Sequence, residues 1–205
     1  GQIAGYNTLA YGADALTFIY EDYSLPKKLI GYPSFEERLA IIRSKTETAQ
    51  NLVTVFELGN VFLMNKNYNS AKYCFQFILK NKFNSREIYN NLGLSFLLYG
   101  ISISDAPISN LVFPLFIDQQ TRAEVTSTRS GSFSNNPQEM ILGAQKLFNR
   151  ALVLDTSYEP AKQNLIVSDF LLQSTQQDRS DFVKSLETSN IDSEFITDFK
   201  VINAV

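Results

Sequence analysis

The chain has 205 residues, of which 44% are hydrophobic and 19% charged, with a formal net charge of −3 and a pI near 5.1. That is enough apolar side chain for a sizeable core in one or two domains, which excludes wholesale disorder, and the mild acidity leaves no electrostatic footprint for nucleic acid or an anionic membrane. With no histidine and a single cysteine, the chain lacks Ser-His-Asp and Cys-His arrangements, an intramolecular disulfide and a histidine-ligated zinc site.

No run reaches the roughly 18 apolar residues of a membrane span, and the first residues lack the basic-then-apolar order of a signal peptide. The expectation is a soluble chain carrying no address. Gly1, where an initiator methionine would stand, reads as a cleavage scar, so the sequence is expected to be a piece of something longer.

From the N-terminus, Asn7 to Tyr20 carries Leu9, Ala10, Ala13, Leu16, Phe18 and Ile19 at helical spacing. A break at Leu25-Pro26 and a loop with Gly31 and Pro33 precede Ser34 and Glu37, whose separation predicts a capping box opening a helix through Leu39, Ile41 and Ile42. Residues 1–48 are read as one unit.

Within that unit, Ala4-Gly5-Tyr6-Asn7 followed by a helix and then Gly31-Tyr32-Pro33-Ser34-Phe35-Glu36-Glu37-Arg38-Leu39 resembles the segment after the active-site helices in the HExxH gluzincin peptidases, the zinc family that includes the CAAX prenyl proteases. Tyr32 stands where that family has a histidine, and Ala10 where a Glu-x-x-Ala-Asp ligand motif ending at Ala13-Asp14 would need its glutamate. The resemblance implies an upstream peptidase domain in a parent protein of the bacterial cell envelope; the zinc site itself cannot lie in a chain without histidine. The abundance of asparagine, lysine, phenylalanine and isoleucine suggests an AT-rich bacterial source.

Residues 49–175 carry the repeats. Leu52, Phe56, Gly59, Phe62 and Leu63 form one helical stripe, Asn65-Lys66-Asn67 a turn, and Tyr68, Ala71, Cys74, Phe75, Ile78 and Leu79 a second stripe. Cys74 within it reads as a small core hydrophobe. A second unit opens with Tyr89, Leu92, Gly93 and Phe96, so that the Leu58-Gly59 pair recurs as Leu92-Gly93. The stretch from Gly100 to Asn136, with Pro107, Pro114, Gly131 and a Ser/Thr run, reads as an irregular insertion at 100–137, after which Gly143-Ala144, Phe148 and Ala151 supply the delayed second helix. A third first-helix is expected over Glu159 to Leu172, and 176–205 is read as a C-terminal cap in which Ser180 could start a short helix. Phe195 to Val205 suits a strand, a short helix or a loop.

Leu58, Gly59, Phe62, Tyr68, Ala71 and Phe75 make this region resemble the tetratricopeptide repeat family, and the step from Gly59 to Gly93 equals that family's repeat period. The resemblance implies an all-α fold of antiparallel helical hairpins stacked as an α-solenoid, interrupted by the insertion. It also implies a protein-interaction or scaffold module whose concave groove binds a protein or peptide. Family positions that hydrogen-bond a bound peptide's backbone correspond to Asn60, Asn91 and Asn164, while Phe56 and Met64, with Leu63, Leu94 and Leu97, make the wall apolar. Phe56 and Pro160 occupy positions where basic side chains would clamp a C-terminal carboxylate, so an acidic-tail ligand is not supported.

Two alternatives stay open: these residues serve as core under the insertion, giving a structural spacer with a filled groove, or the chain is the accessory region of a zinc peptidase. No glycine-rich phosphate loop is present, and Glu21-Asp22 and Glu36-Glu37 suit helix ends better than acid-base work. No enzyme activity and no cofactor are expected of this chain.

Overall fold

The computed structural model describes residues 11–28, 30–105, 108, 112–121, 124–125 (backbone), 133–188, 195–197 and 199–200. Among these the chain is all-α apart from one two-residue ribbon. It divides into two compact units, Gly1–Val55 and Phe56–Val205. The division falls inside a single helix, beyond the boundary read from the sequence, because the 30-residue helix Phe35–Met64 runs without a break where 48/49 was expected to separate two elements. Among the described residues no helix is long and apolar enough to cross a membrane.

In the first unit, α1 (Gly12–Asp22) presents Tyr20, buried against Phe35 at 4.7 Å between ring centroids. Phe35 opens α2 (Phe35–Met64), and its backbone N–H is donated to Lys27 O at 2.8 Å. The capping box forms as its residue types require: Ser34 N–H donates to Glu37 Oε2 at 2.6 Å and Glu37 N–H to Ser34 Oγ at 3.2 Å. These bonds hold the Glu37 carboxyl below its ordinary value. Ala4 to Asn7, on which part of the expected peptidase resemblance rests, lie outside the described residues, and the helix expected from Asn7 is described from Gly12.

The second unit is built from helical hairpins. Lys66 takes a left-handed φ of +59° in the turn after α2, and the Asn67 side chain caps α3 (Tyr68–Lys80) by accepting from Ser70 N–H at 3.2 Å. Gly59 lies where the two helices meet: a Cβ there would stand 2.7 Å from the Phe75 ring. After β1 (Phe83–Asn84), Ser85 caps α4 (Arg86–Ser102) by accepting from Ile88 N–H at 3.1 Å.

The insertion, expected at 100–137, spans 103–136 because α4 continues through Ser102 and α5 (Pro137–Leu154) already starts at Pro137; within it β2 (Glu124–Val125) pairs antiparallel with β1, Phe83 opposite Val125 and Asn84 opposite Glu124. The ribbon is too short to have left a period-two pattern in the sequence. Asn136 then caps α5, accepting from the N–H groups of Gln138 and Glu139, with Pro137 at the first helical position where its missing N–H costs nothing.

α5 returns antiparallel along α4: Gly93 faces Phe148, Phe96 faces Gly143, and Gly100 faces Met140. A Cβ on Gly93 would stand 2.5 Å from the Phe148 ring, which repeats the Gly59–Phe75 crossing. Ala71 and Ala144, one helical turn before these phenylalanines, are both fully buried. The two glycines therefore stand in like surroundings, although the partner helix follows directly in the first hairpin and only after an insertion in the second.

Asp155 closes the next turn by accepting from Ser157 N–H at 2.9 Å, and α6 (Glu159–Leu171) packs back on α5 with Gln145 Nε2 donating to Asp169 Oδ1 at 2.6 Å. α7 (Gln176–Glu187) starts from Thr175, which exchanges bonds with Asp178 at 3.1 Å in both directions. This corrects the expected start at Ser180: the capping box here uses aspartate, and Ser180 lies inside the helix. Residues 195–197 and 199–200 are helical, and Phe195 and Phe199 join Phe170 and Phe182 in one aromatic cluster with ring separations of 5.1–6.3 Å.

Candidate functional site

The first helices of the successive hairpins, α2, α4 and α6, bring four asparagines together, and the insertion lays an extended segment across them. Pro114 fixes its own φ and drives Phe113 out of the helical region, and residues 112–118 form neither helix nor turn. Asn91 Oδ1 accepts from Asp118 N–H at 2.9 Å and Asn91 Nδ2 donates to Asp118 O at 2.7 Å. Two positions earlier, Asn164 does the same to Phe116, accepting its N–H at 2.9 Å and donating to its carbonyl at 2.9 Å. In an extended chain the N–H and C=O of alternate residues point to the same side, so two carboxamides one strand-period apart can each close a two-bond ring on the backbone.

Asn60 and Asn90 complete the row. Asn60 Nδ2 donates to Asp118 O at 2.8 Å, and its own Oδ1 accepts from Asn91 at 2.8 Å. Asn90 Nδ2 reaches Phe116 O and Asp118 Oδ2, both at 2.9 Å, while its Oδ1 accepts from Asn164 at 2.8 Å. Asn90, Asn91 and Asn164 are fully buried. A buried carboxamide left unpaired would be costly, and here the segment's backbone supplies the partners. Ser95 and Ser168, each one helical turn after its asparagine, bond back to Asn91 O and Asn164 O at 3.0 Å, so α4 and α6 carry the same device.

The Asp118 carboxylate ends among polar side chains. The Tyr158 hydroxyl donates to its Oδ2, as Asn90 does. Tyr158 is held from behind by Arg86, whose guanidinium lies 4.6 Å from the ring centroid and is itself tied to Glu87 and Asp155. Burial raises the Asp118 carboxyl to about 6, with Tyr158 and Asn90 opposing the rise and nearby Glu87 adding to it. Burial and the adjacent carboxylate likewise push the Tyr158 hydroxyl up, so it remains a donor.

The apolar side of the segment is anchored separately. Phe113 is buried 6.3 Å from Phe170, and the Phe116 ring lies 6.2 Å from Phe195. Beyond Asp118, Thr121 Oγ1 and Ser85 Oγ share a hydrogen bond at 2.7 Å. Where the insertion returns to α5, Phe133 stacks on Tyr99 at 4.5 Å, meets the edge of Phe96 at 4.7 Å and receives the Lys72 ammonium at 4.0 Å. Burial lowers the Lys72 ammonium from its ordinary value.

Of the residues singled out from the sequence, Asn60, Asn91 and Asn164 thus converge on one segment. Phe56 is enclosed in the first hairpin, edge-on to Phe75 at 5.6 Å, and Met64 stands largely exposed at the end of α2; neither makes up this site. Leu63, Leu94 and Leu97 are core. Asn90, Tyr158 and Asp118 were not foreseen. The repeated Asn-x-x-x-Ser of α4 and α6 was the signal available for the asparagine row.

Cys74 is half-buried and its thiol is raised by burial, the opposite of an activated nucleophile. Among the described residues no group of three or more His, Cys, Asp or Glu side chains could hold a metal ion. Comparison with known proteins gives no match: no family model, no curated protein and no solved structure matches this chain.

Proposed function

We propose that the chain is a protein-interaction module of the tetratricopeptide type, which takes up extended peptide in a groove lined by its first helices and carries its own residues 112–118 there as a resident occupant. One observation carries this reading: four asparagines from three helices bond the backbone N–H and C=O of Phe116 and Asp118 rather than relying on their side chains. A face that holds backbone can hold extended chain of more than one sequence. The paired crossings at Gly59 and Gly93 support the repeat assignment.

A second reading, a structural spacer, is favoured by the same bonds, since the resident segment already satisfies the asparagine amides. The test is capture of peptides from an array of extended sequences by the chain with its segment weakened through Phe116→Ala and Asp118→Asn. The interaction reading expects saturable capture that disappears when Asn91→Leu is added. Capture by neither protein, with both folded, supports the spacer.

A further inference from the structure

Phe116 and Asp118 differ in what surrounds their side chains, and that difference defines a ligand. The Phe116 ring is partly exposed and meets Phe195 at the edge of the aromatic cluster. The Asp118 carboxylate meets two hydrogen-bond donors, the Tyr158 hydroxyl and Asn90 Nδ2. Arg86 and Glu87 are the charged groups that act on that carboxylate, the first favouring its charge and the second opposing it. Arg86 also fixes Tyr158 by stacking on it while bound to Asp155 and Glu87, so the donor is positioned before any ligand arrives. Two converging donors suit a carboxylate oxygen, which accepts both; a side-chain amide in the same place offers a weaker acceptor and must turn its N–H₂ away.

We propose that this face recognises, in another protein, an extended segment of the pattern aromatic, any residue, acid, docked as Phe116-Ile117-Asp118 is, with the resident segment acting as a built-in competitor. The inference rests on the interaction reading above and adds the ligand's chemistry to it. Because the resident segment is tethered, it competes at an effective concentration on the order of millimolar. An incoming segment must therefore outbind it, and a weakened resident should raise the apparent affinity of every ligand of this pattern.

The experiment is fluorescence anisotropy with a labelled peptide of the sequence of residues 112–121, a second peptide carrying Asn in place of Asp118, and the full chain as wild type, as Phe116→Ala/Asp118→Asn, and as that variant with Tyr158→Phe. The expected result, at pH 5, is one-to-one binding to the double variant at least tenfold tighter than to wild type, and at least tenfold preference for the acid peptide, a preference that narrows as pH rises through about 6 because burial disfavours the charged carboxylate. Tyr158→Phe should bring that preference down towards parity with helical circular dichroism retained.

Equal affinity of the double variant for both peptides overturns the acid-reading proposal and leaves the backbone-reading module standing. No binding of either peptide, while the variant's residues 112–118 exchange freely with solvent, overturns both. A wild-type chain that forms dimers by exchanging this segment, seen by light scattering and dissolved by the peptide, identifies a second copy as the occupant and overturns the assignment to another protein.

Discussion

Asn91 and Asp118 set the energetics of the site at the scale of single residues. Asn91 is fully buried and its carboxamide joins Asp118 N–H, Asp118 O, Asn60 and Asn90. Asn91→Leu keeps the volume but strands the partners it leaves behind, at a cost of about 3 kcal/mol; urea denaturation is expected to show that loss. The Asp118 carboxyl titrates at about 6 in the folded chain against its ordinary 3.8. The folded state therefore binds the extra proton, so this group's contribution to stability is greatest at low pH and is lost as pH rises from near 4 through 6. Stability measured against an Asp118→Asn variant is expected to increase as pH falls from 7 to 5, and a flat difference would show that the carboxylate is not buried against Tyr158 and Asn90. Asn60, Asn91 and Asn164 could be named from the sequence because a carboxamide donates and accepts at once. Their occupant could not, since Asp118 sits in a stretch without periodicity and its partners lie 27 to 58 residues away along the chain.

Between elements, the hairpin crossings are decided by contact distance. Alanine in place of either Gly59 or Gly93 gains about 1 kcal/mol of helix propensity. The new Cβ, however, would lie 2.7 Å from Phe75 in one case and 2.5 Å from Phe148 in the other. Both rings are fully buried, and overpacking of this kind costs typically about 1–3 kcal/mol. Gly59→Ala and Gly93→Ala are each expected to lower the urea midpoint, by comparable amounts, and a rise at either site would contradict the tight crossing there. These elements were legible because a Leu-Gly pair recurring at the repeat period, followed by Ala and Phe one helical turn apart, states both the helix and its contact. Element ends were legible only where the usual residue stood: Ser34 with Glu37 announced its cap, whereas Thr175 with Asp178 did not. The β1–β2 ribbon had no pattern to read, being two residues long on each side.

In the second unit, the described residues of the insertion are fastened at two places. One is the asparagine row at Phe116 and Asp118; the other is Phe133 among Tyr99, Phe96 and Lys72. Phe133→Ala is expected to destabilise by about 1–2 kcal/mol, through lost ring contacts and the cation–π contact, and to hasten proteolysis within 103–136. That an insertion splits the second hairpin was visible in its Pro, Gly, Ser and Thr content; that it folds back over the first helices was not, because such a return is fixed by pairings between distant residues. The central claim is that Phe116 and Asp118 are held through their backbones by asparagine carboxamides. Native-state hydrogen exchange at those two amides tests it most directly. Protection of both, lost at Asp118 in Asn91→Leu and at Phe116 in Asn164→Leu, is the predicted result; exchange of both at the rate of open chain in the wild-type protein would contradict it.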